Sequence, residues 1–298
     1  MTFPGALFDP ASQASPGTGT YVYHDERIVL AVNVALATRR PLLITGEPGS
    51  GKSTLARDVA QRLGWAYAWT TITSRTRLAD LIASFDAVRR LADAQVNALK
   101  DDDAYLLPGV LWWSFDPVSA RDVAGAARDT RIDAHLSDRG TVVLLDEIDK
   151  AEPDLPNDLL EPLDQLAITL PGGERRAASN ALVVITSNGE RTMPPAFLRR
   201  CILLQLASPD AAFLASVASS HFGKRRDALY SDIATRTLQL SGLAGQQRRR
   251  PPSTAEYLDA VKASLTFEQR PPTASRSGTA LWEAIEEAAL RKSPRSKD

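Results

Sequence analysis

Among 298 residues there is a single cysteine, Cys201, so no intrachain disulfide can form. The fold must hold by packing alone, which suits a reducing cytoplasm, and Cys201 itself reads as a buried structural thiol. An excess of charge of one sign is also lacking: 35 lysines and arginines face 36 aspartates and glutamates, a net charge of −1. A chain built chiefly to bind polyanions carries a basic surplus, so nucleic acid is disfavoured as the main partner. Long apolar runs are missing too. VVLL at 142–145 is typical of what is present, far short of the roughly 18 residues that a membrane span needs. The opening MTFPGALFDPASQASPGTGT has no basic stretch leading into an apolar one, so no signal peptide is read and a cytoplasmic location is expected. The three histidines, His24, His135 and His221, are scattered without metal-ligand spacing.

What is present is ordinary globular composition, 44% hydrophobic and 24% charged, at a length that suggests about two domains. Residues 1–20, rich in Pro, Gly, Ser and Thr, read as a loose leader. From Asp25, a candidate N-cap, Ile28, Val29, Val32, Ala35 and Leu36 recur at helical spacing. Short apolar runs follow at 41–46, 66–73, 141–149, 181–188 and 201–207, each reading as a buried strand. Between them lie helical stretches, with Leu55, Val59, Ala60 and Leu63 on one face of the first and a long one from Leu78 to Leu99. LPNDLLEPLDQL reads as a helix, and ITLPGGERRAA carries the Pro-Gly-Gly tip of a hairpin. Strands alternating with helices imply a largely parallel sheet. After Pro209 only helices are expected, over Ala211–Phe222, Ala228–Leu240 and Thr254–Phe267, with a last one near Thr279–Arg291.

GEPGSGKS, from Gly46 to Ser53, fits the phosphate-loop pattern and sits between an expected strand and an expected helix. Gly46, Gly49 and Gly51 permit a tight turn whose N–H groups face inward, with Glu47, Pro48 and Ser50 between them. The following helix, through Thr54, adds its positive end at the same point. Lys52 places an ammonium at the β and γ phosphates, and Ser53 offers a hydroxyl to Mg²⁺. A chance match arises in about one chain of this length in a hundred. Some ninety residues on, VVLLDEID puts Asp146 and Glu147 at the carboxyl end of a strand, where open α/β sheets bind ligands. Asp146 is the second anchor for Mg²⁺, and Glu147 is placed to polarise an attacking water.

With these motifs in place, YVYHDERIVLAVNVALATRRPLLITGEPGSGKSTLA, VVLLDEIDKAEPDLPNDLLEPLD, VITSNGERTMPPAFLRRC and RRRPPSTAEYLDAV together resemble the AAA+ superfamily, and within it the MoxR-like ATPases, over about residues 21–270. The resemblance implies an α/β P-loop NTPase core of three layers over 21–208, followed by a small all-helical lid with a C-terminal helix over 209–298. It implies an ATP- and Mg²⁺-dependent ATPase working as a homo-oligomeric ring, a hexamer, that remodels a partner protein such as one with a von Willebrand A domain. Asn188 matches the sensor 1 position. Arg200, with Arg199 second, matches the arginine finger that enters a neighbouring subunit's site. The lid's sensor 2 arginine has no counterpart inside the lid helix, where Ala255 stands; RRRPPST offers Arg248, Arg249 and Arg250 just before it, of which Arg250 is taken. The stretch LADLIASFDAVRRL matches an insert that moves as a lever, and ITLPGGERRAASNA a hairpin before sensor 1. Other readings are a nucleotide-gated scaffold with little turnover, or a nucleic-acid-coupled AAA+ ATPase. Trp112 and Trp113, without interleaved basic residues, are expected to serve packing or an oligomer surface. Core and lid use up the length, so whatever the chain drives is expected on another chain.

Overall fold

Four of the five strands of the main sheet are hydrophobic runs with almost no polar face, the pattern of strands covered on both sides. In the computed structural model they are β1 (Leu42–Thr45), β2 (Ala66–Thr71), β5 (Gly140–Asp146) and β8 (Asn180–Ser187), and β9 (Ile202–Gln205) completes the sheet. The order is β2-β5-β8-β1-β9 and every pairing is parallel. Leu42, Leu43 and Ile44 of β1, Val142 to Leu145 of β5 and Leu182 to Ile185 of β8 are all buried. The structure describes residues 6–11, 21–124, 139–170, 173–177, 180–246, 250–272 and 278–291. Most of the expected leader, His135, the hairpin tip at 171–172 and Arg248 and Arg249 lie outside them.

Helices cover the sheet. α1 (Glu26–Thr38) starts where expected, the Asp25 side chain accepting from the Arg27 N–H. It packs against β1 and β9, and α2 (Lys52–Leu63) against β2, β5 and β8. The stretch expected as one helix over Leu78–Leu99 is instead α3 (Leu78–Ile82), β3 (Ala83–Phe85) and α4 (Ala87–Gln95). Ala83 turns extended, and β3 pairs antiparallel with β4 (Leu106–Pro108), because β4 offers it hydrogen bonds that helical periodicity does not reveal. Asp86 then caps α4 by accepting from the Arg89 N–H. Gly109 follows β4 at a point where any Cβ would stand 2.4 Å from the Leu81 carbonyl oxygen. The fully buried α5 (Val110–Phe115) comes next, then α6 (Pro117–Ala124). Trp112 and Trp113 are core residues, and the Trp112 indole donates to Ser119 Oγ at 2.8 Å. The second expected helix, LPNDLLEPLDQL, is also split, at Leu159, into α7 (Leu155–Asp158) and α8 (Leu160–Gln165). Proline at 156 starts one, and Pro162 lies in the first turn of the other, where a missing N–H costs little. β6 (Ala167–Leu170) and β7 (Gly173–Arg176) form the expected hairpin, and α9 (Pro195–Arg200) leads into β9.

The residues divide into two compact units, one spanning 1–16, 25–46 and 52–205, the other 17–24, 47–51 and 206–298. The second contains α10 (Ala211–Phe222), α11 (Asp227–Gln246), α12 (Thr254–Thr266) and α13 (Ala280–Ile285), which continues as a wider π-turn over Glu286–Arg291. Its core is aromatic: Tyr230, Tyr257 and Trp282 are buried with Leu229, Ile233 and Val261. Ser253 and Glu256 close a capping box at the start of α12. Two carboxylates of this unit are buried, Glu256 in the capping box and Glu286, 5% exposed, which accepts from Arg236, Arg291 and the Trp282 indole. Among the described residues no helix is long and apolar enough to cross a membrane.

Burial alone would raise the pKa of Glu286, but the hydrogen bonds and charges of Arg236 and Arg291 outweigh it and hold the carboxyl below its ordinary value. A folded-state pKa below the unfolded one stabilises the fold above the ordinary carboxylate range, and that contribution disappears as pH falls through the folded value. Glu286→Gln is therefore expected to lose about 2 kcal/mol at neutral pH in urea unfolding. That is less than the ~3–5 of a fully buried pair, because Arg236 and Arg291 keep partial exposure. The gap from the unsubstituted protein should narrow below about pH 4.

Candidate functional site

Parallel register brings the chemistry to one edge of the sheet. Thr45 at the end of β1 lies level with Ser187 of β8, and Thr71 of β2 level with Asp146 of β5. The loop after β1, the acids after β5 and Asn188 after β8 consequently leave the sheet side by side. This is the carboxyl edge at which ligands of open α/β sheets bind.

The loop from Gly46 turns on a hydrogen bond from the Ser50 N–H to the Glu47 carbonyl, 3.2 Å, and ends where Lys52 opens α2. The Lys52 ammonium crosses beneath it to the Gly46 carbonyl at 2.7 Å, and the side chain is buried. Ser50 is buried as well, and among the described residues its hydroxyl has no hydrogen-bond partner. A buried hydroxyl without a partner within the loop, and a buried ammonium with a helix start where the loop ends, each fit a phosphate chain. Gly49 is required twice over. Its φ is +80°, and within the second unit a Cβ there would stand 2.3 Å from Ser253 Cβ. Glu47, Pro48 and Thr54 are exposed.

Around Asp146 the hydrogen bonds form a chain. Ser53 Oγ donates to the Asp146 carboxylate, 2.9 Å from either oxygen, and Thr186 Oγ1 donates to Oδ1. The Thr186 hydroxyl in turn accepts from the Glu147 N–H at 2.9 Å. A hydroxyl and a carboxylate in contact are the oxygen pair that Mg²⁺ takes when phosphates supply the rest of its shell. No cluster of three or more His, Cys, Asp or Glu side chains suited to a metal occurs among the described residues, and Mg²⁺ on a nucleotide needs none.

Glu147 sits at φ 62°, ψ 50°, a left-handed backbone state that is costly for glutamate. Its carboxylate meets the Asn188 amide, Nδ2 to Oε1 3.4 Å. The turn that carries Asn188 is held by Asp149, which is 2% exposed and whose Oδ2 accepts from the Asn188 N–H (3.0 Å) and the Glu190 N–H (3.1 Å). Sequence reading passed over Asp149 and Thr186. Both leave a trace: a third acid in DEID, and a hydroxyl inside the apolar run VVITS.

Arg199 and Arg200 are not part of this cluster. They end α9 at the opposite edge of the sheet, where the Ile202 N–H bonds the Pro41 carbonyl before β1 begins. Four residues of β9 separate that edge from the loop edge, about 13 Å at ~3.3 Å per residue, longer than an arginine side chain. Both arginines are exposed. Arg200 pairs with Asp164, Nε to Oδ2 2.5 Å, while the Arg199 guanidinium has no polar partner among the described residues. In the second unit the exposed Arg250 stands 4.0 Å from the buried Glu256 at the start of α12. Cys201 is buried as expected, which pushes its thiol up to about 12 and makes it inert at neutral pH.

The strain at Glu147 gives a stability test. Glu147→Ala and Glu147→Gly both delete the carboxylate, but only glycine takes φ 62° without penalty. The glycine variant is expected to be about 1 kcal/mol more stable than the alanine variant by urea unfolding, the reverse of the usual order.

Comparison with known proteins agrees with this geometry. A family model described as an AAA domain of the dynein-related subfamily matches residues 41–201, more than half of the chain. No curated protein matches the sequence. Among solved structures, the chain is similar to variants of RuvB from Thermotoga maritima: one at 15% identity covers 88% of this chain and 69% of that one with a TM-score of 0.49. A second, described as the RuvB Holliday junction branch migration motor, is 17% identical over 88% of this chain and 67% of that one, TM-score 0.44. With the phosphate loop, the acids and Asn188 gathered at one edge of a five-stranded parallel sheet, the chain belongs to the dynein-related subfamily of AAA domains.

Proposed function

We propose that this chain is an ATP-hydrolysing motor of the MoxR-like type, working as a homo-oligomeric ring and remodelling a partner protein. The observation that carries the reading is the division of the chemistry between two edges of one sheet. Binding and water-activating groups stand at the carboxyl edge, while the arginine pair stands at the other, out of reach of its own loop. An arginine there is useful to hydrolysis only in a neighbouring copy, which supports a head-to-tail assembly such as a ring. We take 21–208 as the motor core, 209–298 as the lid and 1–20 as a leader.

In this reading the loop amides and Lys52 hold the β and γ phosphates of ATP, with Ser50 adding its hydroxyl. Ser53 and Asp146 would hold Mg²⁺, which when bound draws charge off the β and γ oxygens. Glu147 takes a proton from water as the water oxygen bonds to the γ-phosphorus. The bond from that phosphorus to the bridging oxygen breaks, and ADP leaves with the electron pair. Asn188 orients the water beside Glu147, and Asp149 keeps Asn188 in place. A neighbour's Arg200 or Arg199 meets the charge that spreads over the γ-phosphoryl oxygens, an interaction worth about 10³–10⁵ in rate elsewhere. Arg250, paired with Glu256, would bear on the nucleotide only from the lid.

The partner is a separate protein, and a von Willebrand A-domain protein suits the MoxR-like type. The β3–α4 insert supports a partner contact, because Phe85, Val88 and Leu91 expose apolar surface there and α4 buries none of its side chains. The near-zero net charge argues for protein over nucleic acid.

Steady-state ATPase assays and binding of a fluorescent ATP analogue test the reading. Lys52→Ala should lose both turnover and binding. Glu147→Gln should bind ATP as tightly as the unsubstituted chain while turnover drops at least about a hundredfold. Wild-type turnover in Glu147→Gln refutes the assignment. Asp149→Ala should lower kcat by about tenfold or more with little change in Kd, because it frees the Asn188 turn rather than the loop.

A further inference from the structure

Arg40 lies outside the phosphate loop and the acid pair, between α1 and β1, yet its guanidinium donates to the end of α9. Nε donates to the Arg200 carbonyl at 3.0 Å. Nη2 donates to the Arg199 carbonyl and, at 3.3 Å, to that of Cys201. Among the described residues no carboxylate pairs with it. Three consecutive carbonyls at a helix C-terminus have no intrahelical partners and carry the negative end of the helix dipole, so a planar, permanently charged fork suits them better than a point charge.

α9 needs such an anchor. It has only six residues, too few to persist by themselves in water, and a single side chain, Phe197, is buried. The chain also bends to supply the anchor. α1 ends on Arg39 at φ 54°, a left-handed state uncommon for arginine, and that turn delivers Arg40 to α9 while Pro41 accepts from the Ile202 N–H at 2.7 Å.

We propose that Arg40 is a positioning residue for the arginine pair: by gripping the three carbonyls that end α9, it fixes where Arg199 and Arg200 are presented to the neighbouring subunit. The inference rests on the reading of that pair as acting in a neighbour's site. The effect of Arg40 must then appear in the next subunit's turnover, although Arg40 sits at the root of the strand that leads to its own phosphate loop. A residue serving only the stability of its own core would act in its own subunit.

Arg40→Ala and the milder Arg40→Lys are compared with Arg200→Ala and Arg199→Ala, singly and combined, in the full chain. Arg40→Ala is expected to lower kcat for ATP by about ten- to a hundredfold with KM nearly unchanged, as a misplaced catalytic group does. Arg40→Lys, keeping the charge without the fork, should fall between. Joined to whichever arginine substitution is the more damaging, Arg40→Ala should add little further loss. Mixing Arg40→Ala subunits with Lys52→Ala subunits should restore turnover above either parent, because the second supplies a well-placed pair to the intact loop of the first. No recovery on mixing, or fully additive losses, overturns the inference and leaves Arg40 a stabilising cap. If Arg40→Ala does not fold, the Arg40→Lys mixture decides by the same criterion. If neither Arg199→Ala nor Arg200→Ala, nor the two together, lowers kcat, it is the reading of the pair that fails. Arg40 is refuted on its own when the pair matters and Arg40 does not.

Discussion

A buried hydroxyl that joins two parallel strands is the contact on which the site depends. Thr186 is wholly buried in β8, and the β5–β8 register, with Leu145 opposite Ile185, carries Asp146 and Thr186 together one step further on. Its hydroxyl donates to the Asp146 carboxylate and accepts from the Glu147 N–H, so one side chain sets both acids. Ser53 reaches the same carboxylate from the start of α2. Shifting either strand by one residue would turn Thr186 to the other face and undo all of this. The apolar β5 and β8 prevent that shift, because it would also move their packed side chains.

The same rigidity explains why strain is tolerated at Glu147. A left-handed glutamate costs free energy that only a well-determined surround can hold. Here the surround is the Thr186 bond on one side and the Asn188 turn, held by Asp149, on the other. The strained backbone brings the carboxylate to the amide of Asn188. Asp149 does for the β8 turn what Thr186 does for the acid pair, each through buried hydrogen bonds that loosely packed or wet surroundings would not maintain.

Sheet geometry also divides the labour. Parallel strands give the domain one edge where loops converge and another where the strands begin. The phosphate loop belongs to the first and the α9 arginines to the second. Nothing in RTMPPAFLRRC states which edge it occupies. That follows from β9 running parallel beside β1, which fixes α9 at the strand-entry side.

The sequence by itself determined the elements whose signal is local. Apolar runs gave the strands, GEPGSGKS the loop, DE after a strand the acid pair, and Asp25 the start of a helix. Each rests on near-neighbour physics: hydrophobic periodicity, glycine torsions, capping. Misreadings arose where a distant partner overrode periodicity. Leu78–Leu99 alternates like a helix, but β4 captures Ala83–Phe85 as a strand, a pairing some twenty residues away that no local pattern encodes. Thr186, Asp149, Asp164 and Arg40 stayed unremarked for the same reason: a threonine in a strand or an arginine before a proline is commonplace until its partner is known. Only the tertiary structure decided those pairings, because hydrogen bonds between segments 36 to 160 residues apart depend on strand order and register, which composition and spacing do not specify.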